Sequence, residues 1–239
     1  MPYYYGYGID WTYLVLVLPC IILAMWASSN VNSTFKKYSA QRSRRGITGA
    51  EAARRVLQHN GVTNVTIERV SGNLTDHYDP RTNVIRLSDS VYASTSTAAI
   101  GVAAHEAGHA VQYAQSYAPI KLRAAIIPIT NLGSKLAMPL ILAGILFSAF
   151  GNTLVYLGIA AFGLSVVFQL VTLPVEFDAS HRAMSAIESA GLLTDEEQQG
   201  AKKTLKAAAL TYVAATATAI AQLLRLIIIF GNRGRRRND

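Results

Sequence analysis

The sequence predicts an integral membrane protein of mainly α class, with three or four transmembrane helices carrying a small α+β domain. Only 15% of the 239 residues are charged, against roughly 25% in an ordinary soluble domain. The charge-free residues gather into runs long enough to cross a bilayer, 25 residues from Trp11 to Phe35 and 40 from Leu136 to Val175. Basic residues cluster beside apolar segments: Lys36, Lys37, Arg42, Arg44 and Arg45 follow the first run, and Arg233, Arg235, Arg236 and Arg237 close the chain. Those nine charges exceed the net balance of +8. They lack interleaved aromatics and any nucleic-acid module, so they are read as membrane-flanking charge and no nucleic-acid partner is expected. The single Cys20 lies inside an apolar run, which excludes a disulfide framework.

Residues 1–35 are read as an N-terminal tail and the first transmembrane helix, with Tyr3, Tyr4, Tyr5, Tyr7 and Trp11 suited to an interfacial anchor. A cleaved signal peptide fits poorly, because the leading segment has no Lys or Arg, contains Asp10, and bulky Trp26 precedes Ala27. The positive-inside tendency then puts the N-terminus outside and the chain from Lys36 onward in the cytoplasm. Residues 36–123 read as a soluble module. Thr48 and Glu51 form a capping-box pattern that opens a helix ending at Asn60-Gly61. The period-two runs VTNVTIERV and NVIRLS predict a two- or three-stranded sheet, and from about Ser94 the chain turns helical until Pro119. Residues 124–175 hold a transmembrane hairpin turning at Gly151-Asn152, and 176–206 a cytoplasmic helical segment broken near Gly191. The last part, 207–239, is an apolar helix and a basic tail. Its Thr211, Thr216, Thr218, Gln222 and Arg225 leave open whether it is a fourth span or lies at the interface.

Chemistry concentrates in His105-Glu106-Ala107-Gly108-His109. Residues four apart share one helix face, so both imidazoles can meet one metal ion while Glu106 reaches a water on it. In this HExxH arrangement zinc polarises the scissile carbonyl and acidifies its water, and the Glu serves as general base before protonating the leaving amine. A catalytic zinc takes three protein ligands. The third is sought among Glu176, Asp178, His181 and His77; Glu176 is preferred, because it stands where the hairpin returns to the side from which it left. Asp178 is then an alternative ligand or a partner to a ligating histidine. Arg182 is a candidate contact for an oxyanion or for substrate. His59 and His77 fall near a helix end and in a turn-rich segment and are read as exposed.

HEAGHAVQ, two apolar spans, then LPVEFDAS followed by His181, Arg182 and Ala183 resemble the YugP-like family of bacterial membrane zinc metallopeptidases, over most of the chain. A wider similarity is to the HtpX-like membrane gluzincins, in which a Glu on a helix after a membrane hairpin is the third zinc ligand; Glu176 matches that position. Ser180 departs from the Asp usual in the wider group, which shifts the supporting role toward Asp178. The resemblance implies a zincin-like domain on the cytoplasmic face of the plasma membrane, one Zn2+ per chain, and hydrolysis of peptide bonds in polypeptide or membrane-protein substrates at the bilayer interface. In zincins the substrate adds to a sheet edge, and NVIRLSDSVY, the last strand-like run before the active helix, is the expected edge. A zinc-holding membrane scaffold without hydrolysis is the alternative; it has no need of Glu106 between its ligands.

Overall fold

The computed structural model describes residues 10–147 and 151–231, so the tyrosines at 3, 4, 5 and 7 and the terminal arginines lie outside the described residues. A π-helical turn, Tyr13–Val17, leads into α1 (Leu18–Ser39), followed by α2 (Gly49–His59), β1 (Thr66–Val70), β2 (His77–Asp79), β3 (Val84–Ser88), α3 (Thr97–Ala114), α4 (Ala118–Leu146), α5 (Gly151–Ser189) and α6 (Asp195–Phe230). Four helical stretches among the described residues are long and apolar enough to cross a membrane: Tyr13–Ser39, Ala118–Leu146, Gly151–Ser189 and Asp195–Phe230. The apolar segment left open in sequence is therefore one continuous helix with the polar segment before it, and Glu176 sits inside α5 rather than at its start. The chain divides into two compact units, and α1, α4, α5 and α6 contribute to both.

One unit comprises Ala27–Ala125 and Val171–Val213. The Thr48 hydroxyl accepts from Glu51 N at 3.2 Å while the Glu51 carboxylate accepts from Thr48 N at 2.8 Å, the reciprocal bonds that open α2. Ser96 caps α3 by accepting from Ala99 N. The sheet has the order β1-β3-β2, with β1 parallel and β2 antiparallel to β3. The expected edge is thereby corrected: β3, from NVIRLSDSVY, is the central strand. Its Val84, Ile85 and Leu87 are buried, so side chains on both faces are covered, and only a strand paired on both sides meets that condition here. The edge beside α3 is β2, whose Tyr78 packs against Tyr113 of α3.

Helix α3 runs through the core of this unit. Ala98, Ala99, Ala103, Ala104, Ala107 and Ala110 are all buried, so its neighbours approach closely from several sides. The limiting contact is Gly108, where a Cβ would stand 2.6 Å from the carbonyl oxygen of Ala179 in α5. Any side chain there would force the two helices apart.

The other unit contains the described residues up to Trp26, Ile126–Leu170 and those from Ala214 onward. α4 and α5 pack antiparallel through small residues: a Cβ on Gly144 would meet Gly151 O at 2.5 Å, and one on Gly158 would meet Ala137 O at 2.8 Å. In lipid, where apolar surface gains little by leaving its solvent, this close backbone approach is what holds helices together. Ser134 and Ser165 share a hydrogen bond of 2.8 Å across the same seam. Arg225, the charge that weakened the last apolar stretch as a span, donates from Nε to the Asp10 carboxylate at 3.0 Å and lies over the Tyr13 ring. The Thr12 hydroxyl, Arg225 and the Tyr13 amide together hold the Asp10 carboxyl down at about 2. An arginine paired with a carboxylate is tolerated in an apolar bundle far better than a lone one.

Candidate metal centre

His105 and His109 project from one face of α3 with ring centroids 4.7 Å apart. Glu176 of α5 meets them: its Oε2 lies 3.3 Å from His105 Nε2 and 3.5 Å from His109 Nε2. The three donor atoms fall within 4.8 Å of one another. Glu176 is 2% exposed, and its Oε2 is buried with no hydrogen bond. A carboxylate oxygen removed from water without a partner costs several kcal/mol, on the order of what a cation at that point restores. Two imidazole nitrogens and one carboxylate oxygen form a donor set suited to zinc with a coordination position left open. The residues present therefore fit the ion that the sequence motif implies.

Neighbouring groups decide which atoms are free to ligate. Arg123 Nη1 donates to Glu176 Oε1 at 3.2 Å, which occupies that oxygen and leaves Oε2 toward the histidines. Gln112 Nε2 donates to the Val175 carbonyl and to Asp178 Oδ2, both at 2.8 Å. Both partners are acceptors only, so the amide has one orientation and turns its Oε1 to His109 Nδ1, 3.0 Å away. An acceptor at Nδ1 requires the proton there, which leaves the His109 Nε2 lone pair bare for a metal. His105 Nδ1 is met by Ser180 Oγ at 3.1 Å. Ser180 thus stands against one histidine of the group, while Asp178 reaches the other through Gln112. Replacing Gln112 with Leu is expected to weaken zinc binding about 10- to 100-fold, the usual cost of losing such an orienting partner; an unchanged Kd in a zinc competition titration would remove it from this role.

Glu106 is 9% exposed. Its neighbours include Asp76, at the start of β2, and Tyr212 of α6, which also lies beside Glu176. Burial pushes the Asp76 carboxyl up, two hydrogen bonds from Ser88 oppose this, and the Glu106 charge adds to the rise. For His109, burial works against the imidazolium, yet Glu176, Glu106 and Gln112 outweigh it and raise the imidazole above its ordinary value. Protons would compete with any metal held at the His109 nitrogen.

The other sequence candidates lie apart from the His105, His109 and Glu176 group. Arg182 donates from Nε to Asp178 and from Nη1 to Gln115 Oε1, and lies over the Tyr117 ring. His181 lines a separate cavity with Met184 and Lys202. His77 Nδ1 sits by the Thr75 carbonyl, and His59 Nε2 by the Ser189 hydroxyl.

A family model described as "putative neutral zinc metallopeptidase" matches residues 13–231. The chain belongs to this family. It is 47% identical over 220 residues to the "putative membrane protease YugP" of Bacillus subtilis (strain 168), covering 92% of this chain and 97% of that protein. No solved structure matches it. In this zinc metallopeptidase-family chain, Gln112, Arg123 and Tyr212 are the participants that sequence reasoning missed. Gln112 follows His109 by three residues, one helical turn, which is a signal that was there to be used.

Proposed function

We propose that the protein is a membrane-bound zinc metalloendopeptidase in which His105, His109 and Glu176 hold one zinc ion and Glu106 is the general base. The observation that carries this is the convergence of two histidine nitrogens on a buried, hydrogen-bond-free carboxylate oxygen, with the Glu106 carboxylate close to His109. Zinc bound there supplies a Lewis acid that polarises the peptide carbonyl and makes the attacking water acidic. Glu106 takes the proton from that water and delivers it to the departing amine nitrogen. The Gln112 amide holds His109 in the ligating tautomer throughout. Tyr212, beside both carboxylates, hydrogen-bonds Glu176 and so helps to fix that side chain.

A polypeptide would bind extended along β2, the sheet edge next to α3, pairing with backbone groups that no described strand uses on its outer side. The proximity of Asp76, the residue leading into β2, to Glu106 supports that placement, because it brings a peptide on this edge up to the base. The basic cluster after the first apolar run supports a cytoplasmic, plasma-membrane location for the site, with the N-terminus outside. Cleavage of a quenched-fluorescent peptide mixture by detergent-purified protein should be abolished by a chelator and restored by stoichiometric zinc. Cleavage that survives complete metal removal would overturn the assignment.

A further inference from the structure

A second binding site lies between the charged ends of α1 and α6. Asn30, Thr34 and Lys37 stand at i, i+4 and i+7 on one face of α1, opposite Lys203, Lys206, Ala207 and Leu210 on one face of α6. Together with Tyr38 they line an open cavity of about 300 Å³. The helices are drawn together just beyond it at Gly200, where a Cβ would stand 2.9 Å from the Tyr38 ring and 2.6 Å from Gln41 Oε1.

The cavity lining contains three lysines and no acid. Among the described residues none of these lysines has an ion pair, whereas arginines form eight of the ten ion pairs present. Lys37 only lies over the neighbouring Tyr38 ring, at 5.5 Å. Thr34 donates to Asn30 Oδ1 at 3.4 Å, which leaves the Asn30 amide nitrogen a donor without a partner among the described residues. These three lysines are exposed, and like charges grouped round one open cavity without an acid make a local positive potential that favours an anion there.

The depth of the cavity along the two helices identifies the anion. On α1 the 25 charge-free residues end at Phe35, directly before Lys36 and Lys37; on α6 an 18-residue charge-free run begins at Ala207, directly after Lys206. Both helices change from polar to apolar at this cavity, as they would at the level of lipid headgroups. Ala207 and Leu210 extend its lining into the apolar run. We infer that this cavity binds the phosphate headgroup of an anionic phospholipid, with Lys37, Lys203 and Lys206 on the phosphate and the acyl chains continuing along the apolar faces of α1 and α6. This site is independent of the metal centre and of peptidase activity.

The test is native mass spectrometry of the full-length, zinc-loaded protein in detergent, offered phosphatidylglycerol and phosphatidylcholine with matched acyl chains. Wild type should retain one phosphatidylglycerol at least about tenfold over phosphatidylcholine. The triple variant Lys37→Gln/Lys203→Gln/Lys206→Gln should reduce that preference to near parity, and Lys203→Gln alone should reduce it severalfold. A control with the same charge loss elsewhere, Arg54→Gln/Arg55→Gln/Lys121→Gln, should keep it. Equal loss in the control, no preference in wild type, or full preference in the triple variant would overturn the assignment. Displacement of the lipid by glycerophosphate at equal concentration would also overturn it, assigning the cavity to a soluble phosphate ester.

Discussion

Glu106→Gln is expected to keep a full complement of zinc and to lower peptide cleavage by about 10²- to 10⁴-fold, the range that a positioned general base contributes. The substitution keeps the size and shape of a side chain that is 9% exposed. The amide cannot accept the proton of the attacking water, so the loss should fall on kcat with zinc content unchanged. Zinc analysis and kinetics on one preparation decide the matter. Cleavage within a few-fold of wild type would remove Glu106 from the mechanism; wild-type protein with zinc and no detectable cleavage would favour the scaffold alternative.

Glu176→Ala is expected to weaken zinc binding by more than the roughly 10- to 100-fold that loss of a supporting partner costs, because it removes a ligand outright. It also strips Arg123 of the carboxylate that Nη1 contacts at 3.2 Å, while the Arg123 Nε is already buried without a partner, so the variant leaves a poorly compensated cation at the centre. Electrostatic repulsion of Zn2+ then adds to the missing ligand. Asp178→Ala offers the comparison. Its carboxylate reaches His109 only through Gln112, so its effect should stay within the range for a supporting partner. Zinc titrations that rank the two variants the other way round would move the third ligand to Asp178.

What could be read from sequence was what depends on neighbours along the chain. Four-residue spacing puts His105 and His109 on one helix face whatever surrounds them, and Thr48 with Glu51 closes its cap within four residues. Charge-free runs likewise announce themselves without tertiary information. Pairings between distant segments were harder. Arg225 made the last helix look like a poor span because its partner, Asp10, is 215 residues away. NVIRLSDSVY read as a sheet edge because it is the last strand-like run before the active helix, whereas β3 is central: the order β1-β3-β2 depends on a parallel pairing that leaves no local mark. Arg123 read as charge flanking a membrane hairpin; only the placement of α5 beside it shows the guanidinium bonded to Glu176.

The contact of Gly108 with the Ala179 carbonyl has a bearing on which metals the proposed site would accept. The helix carrying His105 and His109 and the helix carrying Glu176 meet main chain to main chain, within three residues of Glu176 in sequence and one residue of His109. The gauge of the site is therefore set by backbone thickness, which mutation elsewhere hardly alters. Cations whose bonds to nitrogen and oxygen are close to 2 Å suit such a fixed frame. A broader ion such as Ca2+, needing more oxygens at longer range, meets walls that have no room to retreat.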